Sequence, residues 1–514
     1  MAPLISPLLS FSSLLALAAA ACISSGDQTA INNAFQQGGA GTVVQLCPGA
    51  VISISESISF TANDQEISTE GYPTDEMRAT IQVASGSNVS TLISGNSFDG
   101  IRIKNIQLDG TRPVNGMVVG GGANIEIGGA SNGQVVSNIV SKNPRGWSCL
   151  HIIQSGDDSK PCTNATVSNN EIGPCGEEGT NAAGNGQWAD GISFACTNSI
   201  VSNNTITGST DGGIVLFGAP GTTVTGNTIT SSATNKGFGA INMVDNLYGG
   251  SYANVLVTDN VITGQKLFSV GVSIGAYVWS FNDPFFLSGP ATITNNRFAG
   301  NITFPIAING WTGGLTENCQ VTGNDVSQVT KPRSLFADAV TCSAEIKTLF
   351  NENADLVYYP PGLTGTTDLQ SGFVQATQNA TNFICTTGLL PSEQTYEANG
   401  LNIVSDSAPF ATLHGDIVMQ YQGDSNVVVY NTSTGDYVPV WASGHTVSQG
   451  CGSPSLCHLS FQGDGNLVTY YNNTPLWSTG TAGVGKTMNC LNAAPWIEIL
   501  DASGKVVWTT ADSS

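Results

Sequence analysis

Two aspartates stand at the head of short apolar runs: Asp190 in Ala189-Asp190-Gly191-Ile192, and Asp211 in Thr210-Asp211-Gly212-Gly213-Ile214. They lie 21 residues apart. If the runs are strands stacked one upon the next, their carboxylates sit roughly 5 Å apart, or further with a one-residue offset. Glycoside cleavage needs two carboxyl groups at about 5 to 9.5 Å, one as acid and the other as base or nucleophile. Proximity raises one pKa, which suits the acid. His151, between Leu150 and Ile152, points outward one run earlier and is a third catalytic candidate. Asp-Gly pairs also cap chain corners, so turn chemistry is the competing account of both aspartates. Asp245, Glu177, Glu178, Arg145 and Lys236 are secondary candidates, and Trp147, Trp188, Tyr248, Trp279 and Phe281 could line a groove and stack on sugar faces. Asp157-Asp158 reads as a solvated loop pair. No cofactor is expected. Calcium is conceivable through clustered aspartates, although no ligand-loop spacing supports it, and zinc is disfavoured because no Cys-x-x-Cys pair or His cluster exists.

A second constellation lies near the C-terminus. Gln422-Gly423-Asp424-Ser425-Asn426-Val427-Val428-Val429-Tyr430 returns forty residues later as Gln462-Gly463-Asp464-Gly465-Asn466-Leu467-Val468-Thr469-Tyr470. Both read Gln-x-Asp-x-Asn-x-Val-x-Tyr. Strict alternation along one strand would put Gln, Asp, Asn and Tyr on one face, where they could hydrogen-bond the vicinal hydroxyls of a hexose over an apolar Val floor. With Trp441-Ala442-Ser443, Trp477-Ser478-Thr479 and Trp508-Thr509-Thr510, this part resembles the bulb-type mannose-binding lectins. The resemblance covers about 400–510. It implies a β-prism of three four-stranded sheets that share the tryptophans. It also implies two mannose sites: Gln422, Asp424, Asn426 and Tyr430, then Gln462, Asp464, Asn466 and Tyr470. The third copy, Ile497-Glu498-Ile499-Leu500-Asp501, lacks the polar set and is expected to be dead. Ser425 stands where many members carry a disulfide Cys, so Cys457 must pair with Cys451 or Cys490.

The elements that must position the aspartates come from a repeat. Between Ala165 and Gln328 the phrase Val-x-x-Asn-x-Ile recurs at 23 to 36 residues, with its Asn at 170, 204, 227, 260, 296 and 324. A period in that range marks a solenoid. Stacked Asn side chains can bond amide to amide, and Asn also tolerates a left-handed corner. A second strand register runs between the phrases, through Asp190 to Phe194, Asp211 to Leu216, Gly239 to Met243 and Gly271 to Ile274. Each coil therefore carries at least two strands. Residues 25 to 345 resemble the pectin-lyase-like right-handed parallel β-helix superfamily, a fold that hosts many activities. Within it the layout is faintly similar to polygalacturonases, with an Asp-Gly-Ile strand ahead of an Asp-bearing strand. Their Gly-His-Gly is here Gly237-Phe238-Gly239, and no matching Arg-Ile-Lys follows.

The chain has 514 residues and a formal net charge of -22, with only 15 Lys plus Arg. That balance argues against nucleic acid and anionic membranes as partners. Met1 to Ala21 is apolar and ends in four alanines, which reads as a secretory signal peptide. Twelve cysteines fit an oxidising compartment. Cys22 and Cys47 flank a cap, with a helix from Gly26 to Phe35 that Asp27 caps and whose Ala30, Ile31 and Phe35 share a face; Cys149, Cys162, Cys175 and Cys196 cluster, and Cys319 and Cys342 flank the end of the repeat. Seven Asn-x-Ser/Thr sites are compatible with glycosylation. The expected organisation is all-β: signal peptide 1–21, right-handed parallel β-helix 22–345, cap and linker 346–399, and lectin β-prism 400–514.

The function expected is a secreted carbohydrate-active protein: a polysaccharide-cleaving hydrolase or lyase, held on mannose-containing glycans by its lectin part. A non-catalytic glycan-binding or wall protein is the alternative from another class. An isomerase or cyclase using the groove for a small molecule is more remote.

Overall fold

A computed structural model describes residues 22–156, 160–181, 183–245, 250–279, 287, 289–311, 319–330, 355–358, 369–375, 393–404, 409–413, 417–431, 437–448, 450–451, 456–491 and 493–511. The first of its two units is a parallel β-helix. A 10-stranded parallel sheet forms one face, taking one strand from each coil between Val43–Leu46 and Gln320–Thr322. Two further parallel stacks form the other faces. They merge because Val261–Ile274 and Arg297–Ile308 run unbroken round the corner between them. Each regular coil thus carries three strands, one more than the minimum that the sequence pattern requires. The crossovers take the right-handed sense general to parallel neighbours.

Periodicity explains the core. Val167, Val201, Val224 and Val257 stand in register on the first face, and Ile172, Ile206, Ile229 and Ile262 on the second. Leu150, Ile192, Ile214, Ile241, Val272 and Ile306 form the inward row of the third face. All are buried in one continuous core. Branched side chains suit a pleated surface, and each fully buried Val or Ile contributes about 1.5 to 3 kcal/mol.

The repeated phrase does not lie along one strand; it turns the corner between the first and second faces. Two residues divide the work there. The residue before each ladder Asn takes the left-handed conformation: Asn169, Asn203, Gly226, Asp259, Asn295 and Gly323, with φ between 55° and 68°. The ladder Asn then points inward, and its Nδ2 donates to the Oδ1 of the next. These bonds measure 2.8 Å from Asn170 to Asn204 and 2.9 Å for each step on to Asn324. Asn324 finally donates to Gln370 Oε1 at 3.0 Å, which ends the ladder.

A helix, Gln28–Gly38, covers the N-terminal opening; Asp27 accepts from the Thr29 N–H at 2.8 Å, and Gln28, Ile31 and Phe35 are buried. Ala30, expected on that buried face, is exposed. Strands continue beyond residue 345: Leu356–Tyr358 and Phe373–Gln375 extend the third face.

The second unit has its own core and three four-stranded antiparallel sheets. Glu393–Glu397, Leu401–Val404 and Pro409–Leu413 each supply the first strand of one sheet. The unit thus begins inside the segment that the sequence reading assigned to the linker, because Glu393–Glu397 pairs with Thr487–Leu491. Trp441, Trp477 and Trp508, one per sheet, meet with ring centres 6.0 to 6.4 Å apart.

Cys22–Cys47, Cys149–Cys175, Cys162–Cys196 and Cys451–Cys457 are disulfides. Cys457 thus takes Cys451, while Cys490 and Cys319 are unpaired and buried. Cys342 and Cys385 lie outside the described residues, as does the signal-peptide segment. No described helix is long and apolar enough to cross a membrane.

Candidate functional site

On the third face, the row next to the core row holds His151, Ser193, Val215, Asn242 and Ser273, in register across five coils. It faces away from the core, yet its members are buried. Aromatic residues at the strand ends help to cover it: Trp147 packs edge-on against His151 at 4.6 Å, and Phe217 stands 6.1 Å away.

Asp190 and Asp211 meet here with a one-residue offset, since Asp190 Oδ1 accepts the N–H of Gly212 at 2.8 Å. Asp190 Oδ2 accepts from Ser193 Oγ at 2.8 Å, and that hydroxyl lies 3.1 Å from Ser148 Oγ. Asp190 is buried, and loss of solvent pushes its carboxyl up to about 7; the nearby charge of Asp245 adds to the rise, while Gly212 and Ser193 oppose it. Asp211 rises well above the usual carboxylate range, through burial first and then the charges of Asp190 and Asp245. Among the described residues no hydrogen bond reaches its carboxylate, and its side chain is only partly covered. Asp245, a secondary candidate on sequence, completes a trio. The wholly buried Tyr252 anchors it, accepting from the Asp245 N–H at 3.1 Å and donating to the Leu216 carbonyl at 2.7 Å.

The trio divides naturally into roles. Asp190 accepts two hydrogen bonds, which favour its ionised form. Asp211 has none of that help and feels two like charges, so it keeps its proton longer. One protonated and one ionised carboxylate side by side is the arrangement that general acid–base chemistry needs. His151 is pushed down to about 3 by burial and is neutral throughout the ordinary pH range, so it brings no charge to the site. Its Nδ1 has no hydrogen-bond partner, and neither have Asn242 Oδ1 and Ser273 Oγ in the same row.

The remaining secondary candidates sit elsewhere. Arg145 is a structural clamp, its guanidinium held by the carbonyls of Ser87, Val89, Asn115 and Gly116. Glu177 and Glu178 lie on the hairpin of Gly176–Thr180 and Gly186–Trp188, where Glu178 pairs with Lys266 at 2.8 Å and Lys236 at 3.7 Å and Glu177 reaches Arg112 at 4.0 Å. Trp188 of that hairpin is exposed and packs 5.9 Å from Phe238. Tyr248, Phe281, Asp157, Asp158 and the side chain of Trp279 lie outside the described residues. No group of three or more His, Cys, Asp or Glu among the described residues is arranged to hold a metal ion, the carboxylate trio included.

Sequence reasoning missed Ser148, Ser193, Asn242 and Ser273. The signal was present in the coil register: aligning Ser148-Cys149-Leu150, Asp190-Gly191-Ile192, Gly212-Gly213-Ile214 and Gly239-Ala240-Ile241 puts Ser148, Ser193 and Asn242 on the strands that carry or adjoin the aspartates.

In the second unit, each polar motif spans a hairpin loop rather than one strand. The 422–426 loop joins Ile417–Tyr421 to Val427–Asn431, and the 462–466 loop joins Cys457–Phe461 to Leu467–Tyr471. Ser425 and Gly465 make the turns at φ 72° and 82°. Gln422 Nε2 donates to Tyr430 Oη at 2.6 Å, and Gln462 repeats this with Tyr470 at 2.6 Å. Asp424 and Asp464 each accept the N–H two residues on at 3.0 Å. Asn426 Oδ1 accepts from Ser443 Oγ at 2.9 Å, and Asn466 Oδ1 from Thr479 Oγ1 at 3.1 Å. Val428 and Val468 lie beneath, buried outside the core cluster. The surroundings differ: His458 stacks flat on Tyr470 at 4.5 Å, whereas Tyr430 meets Tyr437 edge-on at 5.4 Å. In the third sheet the corresponding loop ends in Ala494-Pro495-Trp496, and Glu498 stands where the others have Val, accepting from Asn489 at 3.0 Å.

No protein-family model matches the chain, and no curated protein matches it in sequence. Solved structures do match. An alginate lyase from Paenibacillus is 13% identical, with 60% of this chain and 98% of that one covered and a TM-score of 0.35. The A-module of a mannuronan C-5 epimerase from Azotobacter vinelandii is 16% identical, with 60% and 94% covered and a TM-score of 0.33. A monomeric mannose-binding lectin from Gastrodia elata is 23% identical, with 24% and 97% covered and a TM-score of 0.19.

Proposed function

We propose that the β-helix hydrolyses glycosidic bonds in a polysaccharide and that the second unit holds the protein on mannose-bearing glycans. The observation that carries the catalytic half is the pairing of Asp190, hydrogen-bonded at both oxygens, with Asp211, which is not, on one outer face. In this mechanism Asp211 gives its proton to the glycosidic oxygen as the bond to the anomeric carbon breaks. Asp190 takes a proton from the water that attacks that carbon. Return of this proton through solvent resets the pair. Asp245 keeps Asp211 protonated by its charge, and Ser193 and Gly212 hold Asp190 in place.

The binding half rests on two Gln–Tyr pairs, each held by a hydrogen bond of 2.6 Å and repeated on two sheets. Preformed groups spare the entropy of ordering them. A weak catalytic site gains from such tethering through effective concentration.

The test is cleavage of a polysaccharide panel by the secreted protein, with Asp190→Asn and Asp211→Asn alongside. Loss of roughly 10² or more in kcat in each variant is expected. Cleavage that both variants retain would overturn the assignment. Binding to immobilised mannose, lost only when Gln422→Ala and Gln462→Ala are combined, tests the lectin half separately.

A further inference from the structure

The two polar sites of the second unit share a motif and differ in what surrounds its tyrosine. Pro439 pairs with Tyr430 and Pro475 with Tyr470, each beside a register shift. Beyond these prolines the sheets part. In the second sheet Tyr471 and Thr474 are joined by Asn472 and Asn473 alone. Both are left-handed, at φ 47° and 63°, as the tightest hairpin turn requires. In the first sheet the connection runs through 432–437. Its last residue is Tyr437, in the place of Asn473, two positions before the proline. Tyr437 is 39% exposed, and its ring meets Tyr430 edge-on at 5.4 Å.

The strand on the other side differs as well. The register partner of Tyr430 is Val418, and that of Tyr470 is His458. His458 lies flat on Tyr470, the planes 10° apart. One face of Tyr470 is thereby closed, and the polar set ends there. In the first site a second ring, open to solvent, stands beyond the polar set. Such a ring is rigid, and its electron-rich face suits the C–H face of a hexose. Tyrosine offers that contact area at low entropic cost.

Resting on the mannose-binding reading above, we infer that the two sites are unequal: the first takes two linked hexoses, one on Gln422, Asp424, Asn426 and Tyr430 and the next against Tyr437, whereas the second takes a single mannose. Tyr437 therefore determines specificity. The first site distinguishes a mannose within an α-linked chain from a lone one, by about tenfold for one aromatic contact. The second reads a terminal mannose whatever it is attached to.

The experiment is calorimetric titration of the full-length protein with methyl α-mannoside and with the α-linked mannobioses. Gln462→Ala leaves the first site to be measured alone, and Gln422→Ala the second; the double variant corrects for sugar bound elsewhere. In the Gln462→Ala protein, about tenfold tighter binding of at least one mannobiose than of methyl α-mannoside is expected, and in the Gln422→Ala protein affinities within about twofold. A further Tyr437→Ala should abolish the preference of the first site, and Tyr437→Phe, which keeps the ring, should preserve it. Saturation-transfer NMR needs no change at Tyr437: the second sugar should be saturated as strongly as the mannose in the Gln462→Ala protein and only weakly in the Gln422→Ala protein. Equal affinity for both ligands at the first site, a preference that survives Tyr437→Ala, or the same preference at the second site overturns the inference. If each single-site protein binds methyl α-mannoside with no preference for a mannobiose, the inequality fails and the mannose reading stands. If wild type binds neither sugar, both fail.

Discussion

Asp190 and Asp211 carry consequences that can be read in pH. Folded Asp190 holds its proton up to about pH 7, whereas an exposed carboxyl releases it near 3.8. Between those values the folded state binds the extra proton, so this group's contribution to stability is complete at the acid end and declines as pH rises to about 7. The loss is on the order of 4 kcal/mol. Asp190→Asn should therefore flatten the fall in denaturation midpoint between pH 5 and pH 7 (about the window in question); an unchanged slope would show that Asp190 is not the group responsible. Activity should respond through Asp245. Its charge raises both partners, so Asp245→Asn should move both limbs of the kcat/KM profile to lower pH while leaving cleavage intact. A profile that stays in place would remove Asp245 from the trio. The two aspartates were recognisable in the sequence because they open neighbouring strands. Asn242 was not, because a buried Asn in an apolar strand resembles any other until the register places it next to Asp190.

The Asn ladder is the element that sets this register. The Asn227 side chain takes part in five hydrogen bonds: it accepts from Asn204 N and Nδ2, and it donates to Asn260 Oδ1 and to the Val201 and Thr225 carbonyls. Asn227→Ala leaves buried donors without acceptors and should cost about 3 kcal/mol or more in chemical denaturation. Gln370→Ala, at the half-buried end of the ladder, should cost about 1 kcal/mol. Equal effects would mean that the ladder does not act as a buried network. The ladder itself was readable from spacing alone. Its placement at a corner was missed: Val and Ile five residues apart would point to opposite faces of one strand, and both reach the core only because the chain bends between them at a different residue, such as Asn169 or Gly226. The polar loops of the second unit repeat the lesson: alternation in Gln-x-Asp-x-Asn looks like strand, yet Ser425 and Gly465 turn the chain inside it.

For the chain as a whole, the two units were evident because one repeats near 30 residues and the other shows two near-identical motifs. Their limits were harder to place. Glu393–Glu397 and Phe373–Gln375 lack periodicity and owe their conformation to partners far away in sequence, Thr487–Leu491 and Leu356–Tyr358. If the lectin unit tethers the enzyme, methyl α-mannoside should slow release of sugars from a mannose-bearing wall preparation several-fold and leave cleavage of a soluble mannose-free polymer unchanged. Equal inhibition of both would show that mannose acts at the catalytic face. Gln370 closes the ladder with the same amide chemistry that builds it, so the stack has a terminator indifferent to how many rungs precede it. The coil between Asn204 and Asn227 closes in 23 residues and its neighbours in 33 and 34. Coils can thus be lengthened on the loop side, as these unequal periods show, without disturbing the alignment of the ladder.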